Sequence, residues 1–212
     1  SSRFVPGDVD AAEVALHTDA HVAWAIRHDA IHVAYQPVVS ARSGEIRSAE
    51  ALVRCWHPEL GDLPSEQIVA AAASQGAAAE LFGIVLRQAL TALRRWRSDG
   101  LLESVSVNLA PSLLSDPRTF SLVERELVES GVPSDSLVLE LTEHVGLEGL
   151  AADAARFQAL GVRLAIDDFG VGRSTVGRLA GMPIDLVKLD RSLVSGLHED
   201  ERRERVVALA ND

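Results

Sequence analysis

The chain has 212 residues, 47% of them hydrophobic and 24% charged, which is enough apolar material for a real core and argues against disorder. Its formal net charge is −11, so it lacks the basic stripe that a long nucleic-acid polymer demands, while a small phosphate ligand stays compatible through a metal or a few local arginines. No apolar run is long enough to span a bilayer, no N-terminal stretch reads as a secretory signal, and Cys55 is the only cysteine, so no intrachain disulfide can form.

Taken in order, residues 1–10 carry Pro, Gly and two Asp and read as a linker from something upstream. Residues 11–30 are Ala-rich, with apolar spacing at Val14, Trp24 and Ile26 that predicts a helix. Short β-branched runs then recur at Ile31–Val39, Ile46–Val53, Val105–Leu109, Leu137–Leu141, Val162–Ile166 and Ile184–Leu189. Helical stretches separate most of them: Ser65–Gln75 leading into Glu80–Arg97, Pro117–Ser130, Leu147–Leu160, Ser174–Leu179 and Glu199–Ala210. Gly100, Gly131 and Gly161 stand where helices stop. Strand–helix alternation predicts a parallel sheet. The short link Ser40–Glu45, with Ser43-Gly44, reads instead as a hairpin, so the first strand is expected to run antiparallel to its neighbour.

The C-terminal ends of these strands carry polar residues. Glu50 interrupts the run containing Ile46, Ala49, Ala51 and Leu52. Asn108 follows Val105 and Val107, and Glu140 follows Leu137, Val138 and Leu139. Asp167 and Asp168 follow Leu164, Ala165 and Ile166. Lys188, the only lysine in the chain, is flanked by Leu186, Val187 and Leu189. A charge in a buried apolar run costs several kcal/mol unless it is paired or bound to a cation. Each residue alone has a plainer reading: a loop and cap for Asp167-Asp168, turn chemistry for Asn108, a helix start for Glu140 and Glu143, a buried ion pair for Glu50 and Lys188. Successive strands each carrying one is not what a structural core selects. In a parallel barrel these ends meet on one face, where barrel enzymes keep their active sites.

The residue types define the chemistry. Carboxylates and an amide are hard oxygen ligands, and no Cys or His joins them, so Mg²⁺ or Mn²⁺ fits and Zn²⁺ does not. Adjacent Asp167 and Asp168 could flank two ions about 3.5–4 Å apart, the usual device for in-line phosphoester hydrolysis. Lys188 could orient water or neutralise a phosphate.

Read together, the motifs resemble the EAL domain family of cyclic-di-GMP phosphodiesterases. Ala49-Glu50-Ala51-Leu52-Val53-Arg54 resembles the signature that names the family, with Tyr35-Gln36-Pro37 before it. Val107-Asn108-Leu109-Ala110, Glu140-Leu141-Thr142-Glu143, Asp167-Asp168-Phe169-Gly170-Val171-Gly172-Arg173-Ser174 and Lys188-Leu189-Asp190-Arg191-Ser192 follow in the family's order. The resemblance covers roughly residues 20–212. It implies a TIM-type (β/α) barrel that opens cyclic di-GMP to linear pGpG. It implies that Glu50, Asn108, Glu140 and Asp167 bind a first Mg²⁺ or Mn²⁺, that Asp167 bridges to a second ion held by Asp168, and that Lys188, with Glu50 and Asp167, forms the catalytic group. Gln36, Leu52, Arg54 and Asp190 would contact the dinucleotide, Arg54 on a phosphate. Glu143 would anchor the sixth loop through Gly172 and Ser174.

The sequence also departs from the pattern. Ala72-Ala73 stand near a usual glutamate, Cys55-Trp56 replaces Trp-Arg before His57-Pro58, and Val171 and Arg173 replace Thr and an aromatic. These bear on rate and regulation rather than on fold. A barrel of this kind has about 250 residues and eight strands, so residues 21–212 are expected to form an EAL domain lacking its last two strands, after a linker and helix over residues 1–20. Such a chain is expected to leave an open barrel or to pair with another chain, and to turn over poorly because a second-metal ligand is missing.

The expected setting is cytoplasmic, with a membrane-tethered parent protein left open, a homodimer, and a covalently linked sensory or cyclase domain. The rival readings are an EAL domain that binds the dinucleotide without turnover, and an unrelated metal-dependent barrel acting on another phosphoester. The pairs His17/His21 and His28/His32 read as solvated positions, the mixed charges of Glu199–Arg205 as a solvent-facing surface, and Trp24, Trp56 and Trp96 as core or interface aromatics.

Overall fold

The computed structural model describes residues 22–58, 61–142, 149–170 and 181–194. The linker, His17/His21, the helices expected at 174–179 and 199–210, and Glu143, Gly172 and Ser174 lie outside them.

After helical residues 22–27 (α1), the hairpin β1 (Ile31–Val39) and β2 (Ile46–His57) forms as the Ser43-Gly44 turn predicts, antiparallel, with Gly44 at φ 74°. β3 (Gly61–Leu63) folds back on the far end of β2. Helices α2 (Ser65–Ser74) and α3 (Ala78–Ser98) follow, then β4 (Ser104–Asn108), α4 (Pro111–Leu114), α5 (Pro117–Ser130), β5 (Leu137–Thr142), α6 (Ala151–Ala159), β6 (Arg163–Phe169), β7 (Leu186–Leu189) and α7 (Arg191–Val194). Among the described residues the sheet has seven strands in the order β1-β2-β4-β5-β6-β7, with β3 attached to β2. The β2–β4, β4–β5, β5–β6 and β6–β7 ladders are parallel, and β3 pairs antiparallel with β2. Among the described residues no ladder joins β7 back to β1.

Two periodicities divide the sheet into a helix-covered face and a face that carries the polar residues. Along β2, Ala49, Ala51, Val53, Cys55 and His57 are buried, while Glu50, Leu52 and Arg54 alternate with them on the other face. Helix α3 lays Phe82, Leu86, Ala89, Leu90 and Leu93 against β1, β2 and β4 at helical spacing, with Glu80 in its first turn and Arg95 and Arg97 in its last. Leu86, Leu137, Leu139, Leu141 and Leu164 are fully sequestered, each worth about 1.5–3 kcal/mol relative to exposure. α5 begins on Asp116, whose carboxylate accepts from the Arg118 N–H, with Pro117 at the first helical position, and ends at left-handed Gly131.

The strand runs read from sequence appear in order. Three differences have physical reasons. β2 continues past Val53 to His57 and β3 was not read, because Arg54-Cys55-Trp56-His57 is not an apolar run and three residues carry no periodicity. Trp56 is 55% exposed, so it is no core residue, whereas Trp24 stacks on His28 and Trp96 meets Tyr35 edge-to-face. The helix expected from Leu147 is described over Ala151–Ala159.

Candidate active site

Parallel register carries the polar residues to one level. Glu50 lies opposite Ser106, Asn108 opposite Glu140, and Thr142 opposite Asp167. Partners across a ladder share a face, and so do residues two apart on a strand, so Glu50, Ser106, Asn108, Glu140, Asp167 and Lys188 all project from the side away from α3.

They converge. The Lys188 ammonium donates to Glu140 Oε2 at 2.7 Å and Glu50 Oε2 at 2.9 Å, and lies 3.0 Å from Asp167 Oδ1. Asn108 Nδ2 donates to Glu50 Oε1 at 3.2 Å. Oxygens of Glu50, Glu140 and Asp167 all fall within 4.8 Å of one another. Glu140 is 3% exposed, and burial pushes its carboxyl above the usual range, with Lys188 and the Ser106 side chain pulling the other way and Glu50 repelling it. Burial opposes the charge on Lys188, yet Glu140 and Glu50 outweigh it and hold the ammonium firmly protonated.

The donor set answers what the cluster could hold. Three carboxylates and one amide, with no Cys or His in the group, suit a hard divalent cation such as Mg²⁺ or Mn²⁺. The sole lysine adds a cation that can face a phosphate.

Asp168 stands apart from that group. The β6–β7 register shifts between Ile166 and Phe169, and Asp168 sits in the bulge at φ 56°, exposed. Bulges re-aim side chains, and a non-glycine residue in the left-handed region is a strained placement characteristic of functional loops.

Of the other residues singled out from sequence, Gln36, Leu52 and Arg54 share that face by the β1–β2 register and the alternation of β2. Gln36 lies opposite Glu50 and Leu52 opposite Ala34 across the β1–β2 ladder. Arg54 Nη1 donates to the Val53 carbonyl and to Ser65 Oγ, both at 2.8 Å. Asp190 Oδ1 accepts from the Ser192 N–H at 2.7 Å. Two supporting residues escaped the sequence reading. Ser106 is separated from Asn108 by the strand period alone, and Ser65 opens α2 next to Arg54.

An acidic cluster able to hold a cation thus lies on one face of a parallel sheet, in an α/β fold whose first strand is antiparallel to the second. A model of the EAL domain matches residues 20–211, and the chain belongs to that family. An uncharacterized Mycobacterium tuberculosis protein is 39% identical over 171 residues, 78% of this chain and 56% of that one. An uncharacterized signaling protein of Caulobacter vibrioides is 35% identical over 178 residues, 82% of this chain and 22% of the relative. The chain thus spans about half the length of the mycobacterial relative and about a fifth of the Caulobacter one. Among solved structures, the PaMucR phosphodiesterase in complex with c-di-GMP superposes with a TM-score of 0.81 at 26% identity, covering 93% of this chain and 80% of that one. The EAL domain of Mycobacterium smegmatis DcpA gives 0.65 at 28% identity, covering 85% and 72%.

Proposed function

We propose that this protein is a metal-dependent phosphodiesterase that hydrolyses cyclic di-GMP to linear pGpG. The observation that carries the reading is the meeting of Glu50, Glu140 and Asp167 around Lys188, with Asn108 on Glu50, from five strands joined by parallel ladders. The superposable PaMucR phosphodiesterase–c-di-GMP complex supports the choice of substrate.

Glu50, Asn108, Glu140 and Asp167 would hold a first Mg²⁺ or Mn²⁺, and Asp167 with Asp168 a second. When bound, such ions acidify a water and neutralise developing charge on a phosphoryl group. The chain's own residues do the rest. Arg54, steadied by Ser65 and the Val53 carbonyl, binds a phosphate. Gln36, Leu52 and Asp190 position the dinucleotide. Lys188 directs the attacking water and shields phosphate charge. Water oxygen adds to phosphorus, the phosphorus–ester oxygen bond breaks, and a proton passes to the departing sugar oxygen, which leaves as a hydroxyl. Glu143, with Gly172 and Ser174, would set the sixth loop. A homodimer and a linked signalling domain belong to the same reading, the latter supported by the greater length of the relatives.

A second reading, a cyclic-di-GMP receptor without turnover, draws on Asp168 lying outside the carboxylate group. Purified protein is incubated with cyclic di-GMP and Mg²⁺ or Mn²⁺, with noncyclic phosphodiesters as controls, and products are read by mass spectrometry. Ion-dependent pGpG supports the enzyme, binding without product supports the receptor, and preference for a noncyclic ester overturns both. No helix among the described residues is long and apolar enough to cross a membrane.

A further inference from the structure

Lys188 is held by contacts that a water-directing or phosphate-shielding group does not require. Its ammonium makes ion pairs with three carboxylates at once, at 2.7, 2.9 and 3.0 Å, using Glu140 Oε2, Glu50 Oε2 and Asp167 Oδ1. Two of its three N–H donors are spent on Glu140 and Glu50, and Asp167 adds a third negative charge at contact distance. Glu50 Oε1 is already engaged by Asn108, and Glu140 is 3% exposed with Ser106 as a further partner. The lysine therefore holds one oxygen of each of the three carboxylates that could ligate a divalent ion.

We infer that Lys188 is an internal counter-cation that competes with the divalent ion for the same carboxylate oxygens. It would preorganise Glu50, Glu140 and Asp167 when no divalent ion is bound, and would have to leave them as the ion enters. This rests on the proposed metal reading and adds a regulatory property to it. Three carboxylates crowded within 4.8 Å would repel one another without a cation among them. The lysine supplies that cation permanently, at the cost of divalent affinity. Metal occupancy is then set by an exchange between an ammonium and a divalent ion, which raises the free metal concentration needed for half-occupancy by a constant factor. Displacement also delivers the released ammonium to the phosphate side of the site at the moment the ion arrives.

Two measurements test it. In the first, Mn²⁺ binding is followed by calorimetry for the unmodified protein, Lys188→Met and Lys188→Gln. Removing the competitor should tighten Mn²⁺ binding by at least about tenfold, about 1.4 kcal/mol. It should also lower the melting temperature without metal and enlarge the metal-induced rise. Equal or weaker Mn²⁺ binding in the variants, with binding by the unmodified protein intact, overturns the competition and leaves the phosphodiesterase reading standing. No Mn²⁺ or Mg²⁺ binding by the unmodified protein overturns both. The second measurement needs no variant. Because Lys188 is the chain's only lysine, protein labelled with ¹⁵N-lysine gives a single side-chain ammonium signal. Its protons should exchange slowly with water without metal and faster at saturating Mg²⁺. An ammonium still slow to exchange at saturation would show that the lysine never leaves the carboxylates, and the inference would fall.

Discussion

Glu126 and Glu140 are both 3% exposed and both accept hydrogen bonds from basic side chains, yet their acidities move in opposite directions. Burial alone would raise both. At Glu126, on α5, Arg87 donates from Nε at 3.2 Å and Nη2 at 2.9 Å, and Arg125 from Nη2 at 3.1 Å. Two guanidiniums serve one carboxylate, outweigh burial and hold it below the usual range. At Glu140 burial wins, because the single lysine is divided among three carboxylates and Glu50 repels the charge. A structural carboxylate is given cations of its own. A carboxylate in a binding site is left short of positive charge, and the shortfall is what a ligand can satisfy.

The contrast breaks first on catalysis. Glu140→Gln should lower cyclic-di-GMP hydrolysis at least about a hundredfold, since it removes one of the oxygen donors that would hold a metal worth several kcal/mol to the transition state. Glu126→Gln should leave turnover per folded molecule within about twofold, as expected of a group that touches no reacting atom. Comparable losses in both variants, measured by product formation against folded protein, would erase the distinction.

Stability should show the reverse order. Removing both arginines in Arg87→Ala/Arg125→Ala leaves a buried carboxylate without its cations. Stranding a buried charge costs about 3–5 kcal/mol, but both arginines are more than half exposed, so water can follow them in and about 2 kcal/mol is expected. Urea unfolding measures it. A change near zero would mean that the Glu126 carboxylate is solvated in solution.

A smaller effect sharpens the same point through pH. Because the folded pKa of Glu126 is depressed, its stabilisation is fully present above the ordinary glutamate value of about 4.3 and disappears as pH falls through the lower folded value. The stability difference between the unmodified protein and Glu126→Gln should therefore be flat near neutrality and shrink below about pH 4. A difference that grows on acidification would have the wrong sign.

The sequence showed most of what places the site. Apolar β-branched runs ending in Glu50, Asn108, Glu140, Asp167 and Lys188 marked strands and their polar ends, because strand period and charge burial are local properties of the chain. β3 escaped, since its three residues owe their conformation to pairing with Cys55, Trp56 and His57. Asp167 and Asp168 are told apart in sequence only by the resemblance, which places Asp167 between two ions and Asp168 on the second. The bulge that separates them depends on β7, a strand met only later in the chain. Trp56 reads in sequence as a core or interface aromatic, and its exposure removes the core alternative. The direct bonding of Lys188 to three carboxylates needed register across four strands, which no single segment encodes.

The smallest effect lies at the rim of the site. Ser65 Oγ donates to the Val53 carbonyl at 3.0 Å and accepts from Arg54 Nη1 at 2.8 Å, so it fixes the guanidinium from the start of α2. Arg54 keeps its bond to the Val53 carbonyl when the hydroxyl is removed. Ser65→Ala should therefore cost only part of one hydrogen bond, about 0.5–1 kcal/mol, and raise KM for cyclic di-GMP about two- to fivefold. If Arg54 grips a phosphate equally in the ground and transition states, kcat should not change. Arg54→Ala should raise KM further on the same axis. A Ser65→Ala variant that lowers kcat while KM holds would place the serine–arginine pair in the chemical step, and Arg54 would then have to be reassigned from binding to stabilising charge that develops during hydrolysis.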